Sequence, residues 1–185
     1  MLTQQQLRHG IVARGICSVA LGTALLASPV VVFAQDQKHV SFVADMAKHV
    51  ILDPTTYAPA IIAYDSTMRD WNSSQPFFQN GFVEHNAQFT VSGVPNERAV
   101  SYDVGKSMIM HDLFTNLEVS AVNNITDSVF ERALIERYPS HRKLVRAVGW
   151  VEKSVFASYL SYRLSATHYR QWQQNEQMAQ QLAIR

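Results

Sequence analysis

The sequence predicts a mainly α-helical protein, a small bundle built on a long antiparallel helix hairpin. Two observations favour this fold class: apolar residues recur at helical spacing through the second half of the chain, and a Pro139-Ser140 pair interrupts that pattern once. The chain is 47% hydrophobic and 17% charged with a single Cys, which is the composition of a globular domain. It excludes a collagen, a disulfide scaffold and a fully disordered chain.

Residues 1–34 predict a signal peptide. Two arginines precede an apolar stretch over residues 15–26, and Val32 and Ala34 stand at the −3 and −1 positions of a cleavage site after Ala34. The alternative is an uncleaved N-terminal anchor, because residues 15–34 supply about the twenty residues that cross a bilayer. We therefore expect an exported protein, periplasmic or secreted, or else one anchored by that helix.

Residues 35–185 are predicted to form a single helical domain of 151 residues (185 − 34). This part has no Cys, which excludes a thiolate nucleophile and a cysteine metal site. It carries 14 basic and 15 acidic side chains, a net charge of −1, so nucleic acid is not an expected partner. It also has no apolar run of eighteen residues, so no transmembrane span is expected after signal cleavage.

The first part of this domain predicts two helices and an ordered loop. Helical spacing over residues 40–51 ends at an Asp-Pro pair, and a second helix is predicted over residues 54–71. Residues 72–105 hold three of the four glycines that follow residue 34, together with several aromatic residues. They predict an ordered loop insertion that folds over the helices. Alternating apolar and polar residues permit a short β-hairpin near residues 88–102.

Two long amphipathic helices follow, over residues 106–138 and 141–175, with Ser140 as the predicted cap of the second. Near-heptad spacing in the first relates Ile109, Leu113, Leu117, Ala121, Ile125, Val129 and Ala133. The apolar stripe of the second is Leu144, Val148, Val151, Val155, Tyr159, Tyr162, Ala166 and Tyr169. We expect these faces to pair as the core of the bundle.

Basic residues gather on the second long helix. Residues 35–130 carry five basic and eleven acidic side chains (−6), whereas residues 131–185 carry nine and four (+5). The structural interpretation is attraction between the two halves and a solvated helix face. The functional alternative is contact with an anionic lipid surface or an envelope protein. The residues predicted for that contact are Arg142, Lys143, Arg146, Trp150 and Lys153.

A polar cluster is predicted at the open end of the hairpin. Its members are Glu84, His85, His111, Asp112 and His168. Asp112 lies 27 residues before Pro139 and His168 lies 29 after it, so an antiparallel hairpin sets them at similar height. Imidazoles and carboxylates together could hold a divalent metal or act as an acid and a base. The structural alternative is that Glu84 ties the loop to a helix end and that His168 is exposed.

Catalytic motifs are missing from the sequence, which has neither HExxH nor GxSxG. The predicted function is therefore a binding or assembly module of the cell envelope that requires no cofactor. A metal-assisted hydrolase that uses the polar cluster is the alternative. Peripheral attachment to a membrane through the basic helix is the third hypothesis. Asp65 and Arg69, four residues apart, are predicted to form a structural ion pair on the helix before Trp71.

Overall fold

The computed structural model describes residues 44, 46–47 and 49–183. The predicted leader lies outside these residues. The helix predicted over 40–51 is described only in part, and residues 44, 46–47 and 49–51 of it are helical.

Three long helices make up the described part of the chain: α1 (Pro54–Gln79), α2 (Tyr102–Arg137) and α3 (Arg142–Leu182). A 3-10 turn, Pro139–His141, joins α2 to α3. The three helices pack against each other and no strand occurs among the described residues, so the predicted mainly α bundle is confirmed. Ser140 is not the cap of α3, because the 3-10 turn moves the start of the helix to Arg142, where no side chain caps it.

α1 begins at a well-formed N-cap. The Asp53 carboxylate accepts hydrogen bonds from the backbone N–H and the hydroxyl of Thr55, at 3.0 and 2.7 Å, and Pro54 takes the first helical position. The helix runs past its predicted end at Trp71, through Pro76, to Gln79.

The ordered loop is consequently shorter than predicted and spans residues 80–101 instead of 72–105. Polar residues before Pro76 suggest a break in the sequence, but the hydroxyls of Ser73 and Ser74 donate to the carbonyl of Asp70 at 2.9 Å. These bonds return both serine hydroxyls to the helix backbone and so keep them compatible with a helical conformation up to Pro76. Phe77 is buried and holds the last turn of the helix in place.

The polypeptide reverses within this loop, as the predicted hairpin requires, but forms no strand. Two isolated antiparallel bridges, Glu84 with Glu97 and Thr90 with Ala99, connect its two halves. The turn between them passes through Gly93 at φ +73°, a conformation that glycine adopts without strain.

α1 lies between the other two helices, antiparallel to α2 and parallel to α3. The indole N–H of Trp71 donates to the carbonyl of Tyr102 at 3.2 Å at one end of the α1–α2 pair, and Asn124 bonds Thr56 at the other. α2 and α3 contact each other much less than each contacts α1. The hairpin is therefore held together mainly through α1.

The aromatic core sits at the loop end of the bundle. Trp71, Phe89 and Ile109 form its buried centre, contributed by α1, the loop and α2. Gly105 lies directly against the Trp71 ring, where an added Cβ would come within 2.3 Å of Cζ2. This close approach lets the first turn of α2 pack onto the indole.

The apolar row predicted for α2 is buried only at its beginning. Ile109 is 1% exposed, whereas Val129, on the same row, is 44% exposed. Successive members of the row are four residues apart, and four residues turn an α-helix by about 400°. The row therefore winds around the helix by about 40° per step. The predicted near-heptad spacing is therefore wrong for this row, because residues four apart do not stay on one face of α2.

The stripe predicted as the buried face of α3 points to solvent over most of its length. Its first six members, here called the α3 stripe, are each more than half exposed. They are Leu144, Val148, Val151, Val155, Tyr159 and Tyr162. The buried side of α3 instead holds Lys153, Ala157, Ser165 and Asn175.

Small side chains explain this orientation. The side of α1 that is buried includes Ala60, Ala63 and Ser66, and the buried side of α3 includes Ala157 and Ser165. Small residues on both helices allow the backbones to approach closely, and a row of valines and tyrosines would hold them apart.

Candidate ligand-binding site

A cavity of about 420 Å³ opens between the second half of α1, the loop and the last third of α3. Aromatic side chains form much of its wall: Trp71, Phe77, Phe78, Phe82 and Phe89. Its ionisable and amide side chains come from all three elements: Asp70, Glu84, His85, Asn86, His168, Gln171 and Asn175. Volume and lining resemble those of small-molecule sites, which are mostly apolar with a few convergent polar groups.

Asp70 and His168 form the central polar contact of this cavity. Nδ1 of His168 lies 2.8 Å from Oδ2 of Asp70, and both side chains are mostly buried. A carboxylate bonded to one ring nitrogen orients the imidazole and leaves Nε2 for other contacts. The pair can therefore exchange a proton with a bound molecule or accept a hydrogen bond from it.

Asn175 fixes the same carboxylate from the next turns of α3. Its amide nitrogen lies 3.4 Å from Oδ1 of Asp70, 3.0 Å from Oγ of Ser73 and 2.9 Å from Oγ of Ser74. The amide oxygen accepts from Gln171 at 3.0 Å. Nearly every polar atom around Asp70 thus has a partner, as buried polar groups require.

Helical spacing brings these groups together. On α1, Asp70 and Ser74 are four residues apart and share one face; on α3, His168 and Asn175 are seven residues apart and share another. Because α1 and α3 run parallel, residues about one hundred positions apart in the chain lie at the same height, from Asp53 beside Lys153 to Asp70 beside His168.

Glu84 enters the cavity from the loop. Its backbone pairs with Glu97, and its carboxylate accepts the N–H of Asn86 at 2.6 Å. Burial raises the pKa of Glu84 above its ordinary value of 4.5, and the negative charge of Asp70 raises it further. The two carboxylates are close enough to repel each other.

Within the part of the chain that the structure describes, no lysine or arginine lines this cavity. The nearest candidate along α1, Arg69, is bound to Asp65 at 2.8 Å and stacks on Trp172 at 4.9 Å from the ring centre. The Asp65–Arg69 ion pair predicted from the sequence is thereby confirmed. It lowers the pKa of Asp65, with a further contribution from the hydroxyl of Tyr169.

A second, smaller cavity of about 220 Å³ lies between α1, α2 and α3. His168, Thr67 and Phe89 line both cavities, so the imidazole stands between them. Asp112 lines the smaller cavity and accepts a hydrogen bond from Gln88 at 2.8 Å.

The structure brings together part of the predicted polar cluster. Glu84, His85 and His168 share the larger cavity, and Asp112 shares the smaller one with His168. His111 is exposed and lines neither cavity, and Nδ1 of His85 bonds Oδ1 of Asn96 within the loop. No three histidine, aspartate or glutamate side chains of the described residues are grouped so as to hold a metal ion.

The residues of α3 predicted to contact an anionic surface do not share one exposed face. Lys153 is 7% exposed and lies 3.2 Å from the Ser128 hydroxyl and 3.9 Å from the Asp53 carboxylate, so it does not face solvent. Arg146 is exposed but lies 3.7 Å from Glu131. Arg142, Lys143 and Trp150 are exposed near the hairpin corner.

Asp70 and Asn175 are the site residues that sequence reasoning missed. A signal was present: Asp70 and Ser74 on one helix, and His168 and Asn175 on the other, repeat at helical spacing. Recognising it required the parallel pairing of α1 with α3, whereas the sequence suggested that α3 pairs with α2.

Comparison of the chain with protein-family models, with curated proteins and with solved structures finds no match. Within the described residues, no helix combines the length and the apolar character needed to cross a bilayer.

Proposed function

We propose that this protein is an exported helical binding module of the cell envelope, which captures a small organic cation in the cavity between α1, the loop and α3. Residues 1–34 support the export, because they have the order of a signal peptide. The observation that carries the ligand class is the combination of two carboxylates with aromatic walls in a cavity that none of the described lysines or arginines lines.

The charge of the cavity favours a cation. The Glu84 carboxylate accepts the backbone N–H of Asn86, and its pKa is nevertheless raised by burial and by the charge of Asp70. A positively charged ligand group beside Glu84 would relieve that repulsion and favour the ionised carboxylate. An anionic ligand would increase the repulsion.

The aromatic walls of the cavity favour a ligand whose cationic group is attached to an apolar group. Trp71, Phe78 and Phe89 lie near one another, with ring centres 5.7 and 5.1 Å from the indole. Aromatic faces attract ammonium groups and bury apolar carbon atoms. A primary or quaternary amine with an aromatic or alkyl body matches both features.

The experiment is calorimetric titration of the purified protein with three probes that share a phenethyl group and differ in the charge of the group attached to it. These are phenethylammonium, its neutral counterpart 2-phenylethanol and the anion 3-phenylpropionate. We expect the ammonium to bind at least ten times more tightly than the alcohol, and the anion not to bind. Equal affinity for the ammonium and the alcohol would contradict the proposal.

Matched variants locate the binding. Glu84→Gln keeps the shape of the side chain and removes its charge, so it should weaken phenethylammonium binding about tenfold, the factor that corresponds to ~1.4 kcal/mol. Asp112→Asn changes a carboxylate in the neighbouring cavity and should leave the affinity unchanged. If both variants bind as the wild type does, the ligand does not occupy the larger cavity.

A further inference from the structure

The α3 stripe is an apolar face that no described residue covers. Its six positions hold three valines, two tyrosines and one leucine, with no charged residue among them. Contiguous apolar patches of more than a few hundred Å² are rare on monomeric proteins and mark interaction sites. α1 begins beside Lys153, so α1 itself does not extend along the part of the hairpin before that level.

The spacing within the stripe is that of a helix-pairing seam. Val148, Val155 and Tyr162 are seven residues apart, and Leu144 and Val151 form a second row with the same interval. Two such rows, offset by three and four residues, define the a and d positions of a coiled coil. Lys153, near the opposite side of the helix, is buried against α1, which leaves the seam free on the outside.

A groove of about 520 Å³ runs beside the stripe, between α2 and α3. Val148, Val151 and Val155 form part of its apolar lining, and Asp127 and Glu152 are its acidic residues. No described lysine or arginine lines the groove; burial and then the charge of Glu152 raise the pKa of Asp127, and the charge of Lys153 lowers it.

The hairpin corner offers the opposite charge. Arg142 and Lys143 are exposed at the start of α3, before the stripe begins. If two copies of α3 cross antiparallel near Val148, residue 144 of one copy lies opposite residue 152 of the other. The basic corner of each copy then comes near the acidic groove of its partner, twice by symmetry.

We propose that the protein forms a homodimer in which the α3 stripes of two copies pack antiparallel around a two-fold axis near Val148. In this register residues 142–154 of the two copies lie side by side, so Leu144, Val148 and Val151, each more than half exposed, form the apolar centre of the interface and the charged groups flank it. The interface is isologous, so the same residues contribute from each copy. It uses a surface apart from the ligand cavity and does not depend on the proposed ligand.

A lipid surface fits this face less well. Binding of an amphipathic helix to anionic lipid uses basic residues along the edge of the apolar face. Here Lys153 is buried and Arg146 is 3.7 Å from Glu131, which leaves Arg142 and Lys143 exposed before the stripe and Arg163 exposed at its other end. Asp127 and Glu152 lie beside the middle of the stripe, where they would repel an anionic lipid surface and attract the basic corner of a second copy.

Sedimentation velocity of the purified protein across micromolar concentrations tests the dimer. We expect the wild type to sediment as a dimer and Val148→Glu/Val155→Glu to sediment as a monomer with unchanged helical circular dichroism. The control Ile61→Glu places a charge at an exposed apolar position of α1 and should remain dimeric. A monomeric wild type, or a dimer that persists in the double variant, overturns the proposal.

Charge exchange tests the antiparallel arrangement without inserting charge into the stripe. Arg142→Glu and Glu152→Lys should each raise the dimer dissociation constant several-fold, and their combination should restore it. In a Cys17→Ser background, Val148→Cys should form an intermolecular disulfide and Ile61→Cys should not. A monomer that instead sediments with phosphatidylglycerol vesicles assigns the stripe to lipid and rejects the dimer.

Discussion

Nδ1 of His168 lies 2.8 Å from Oδ2 of Asp70, and this contact joins two helices whose residues are 98 positions apart in the chain. It anchors the parallel pairing of α1 and α3 at the larger cavity. Asn175 supports the same carboxylate one to two turns further along α3. Asp70 therefore contributes both to the packing of the fold and to the cavity proposed to bind a ligand.

Replacement of Asp70 by alanine should destabilise the fold by about 1–3 kcal/mol, because it leaves Nδ1 of His168 without its buried partner and removes one of the three acceptors of Asn175. Urea denaturation followed by circular dichroism measures this difference. Glu136→Ala removes an exposed partner of Arg132 and should change stability by no more than about 0.5 kcal/mol. Equal effects of the two substitutions would show that the Asp70 contact contributes no more than a surface ion pair.

Two glycines on the long helices should respond to alanine in opposite directions. Gly105→Ala places a Cβ 2.3 Å from Cζ2 of Trp71, deep in the core, and should destabilise by about 1–3 kcal/mol. Gly149→Ala meets only the carboxylate end of Glu131, at 3.1 Å, and that end can move.

Within a helix, alanine is favoured over glycine by about 0.5–1 kcal/mol, so Gly149→Ala should stabilise the protein or leave it unchanged. Thermal unfolding of both variants beside the wild type provides the comparison. If Gly105→Ala unfolds at the wild-type temperature, α2 does not pack against Trp71 as described.

The charge of Glu84 should make stability depend on pH. Its pKa is raised in the folded protein, so the folded state binds more protons than the unfolded state between the ordinary value of 4.5 and the raised value. Stability therefore falls as the pH rises through that window. Glu84→Gln, which cannot ionise, should be more stable than the wild type at neutral pH and should lose that advantage below pH 4.5.

Urea unfolding at pH 4 and pH 7 measures this dependence. Asp65 provides a control whose window lies below this pH range, because its pKa is lowered, first of all by its bond to Arg69, so Asp65→Asn should change stability by a similar amount at pH 4 and pH 7. Stabilisation from Asp65 is present above its ordinary value of 3.8 and disappears as the pH falls through the lowered value. If the free energies of unfolding of Glu84→Gln and the wild type differ by the same amount at pH 4 and at pH 7, the Glu84 carboxyl group is not desolvated.

Asn124 should be essential at the other end of the bundle. It is 2% exposed, and its amide donates to the hydroxyls of Thr55 and Thr56 at 2.9 and 2.6 Å. Asn124→Ala should cost about 1–3 kcal/mol, because it opens a cavity and leaves both hydroxyls without that donor. Asn123→Ala, one residue earlier and bonded only to Asp127 on its own helix, is the matched control and should have a small effect.

The sequence was a good guide to local structure and a poor one to the choice of helix partner. The Asp53-Pro54 cap and the Pro139 corner appear where the residues predict them, because capping and proline chemistry act over a few residues. The orientation of α3 depends instead on how closely Ala157 and Ser165 can approach α1, which a hydrophobic pattern does not report. That is why the α3 stripe was predicted to be buried.

The candidate site was predicted in part for the same reason. Glu84 and His168 were expected to meet, and they share the larger cavity. Asp70 was not included in the predicted cluster, because nothing within α1 indicates that His168 lies at the same height. His111 was included through its neighbour Asp112, but it projects to solvent while Asp112 faces the loop.

Disulfide formation between α1 and α3 tests most directly which side of α3 faces α1. In a Cys17→Ser background, we expect Ser74→Cys/Asn175→Cys to form an intramolecular disulfide, seen as the loss of two free thiols without a change in oligomer size. Ala60→Cys/Tyr159→Cys lies at a similar height on the two helices but uses the α3 stripe, and it should keep both thiols free. If the second pair closes and the first does not, the stripe faces α1, and neither the cavity around Asp70 nor the exposed seam exists.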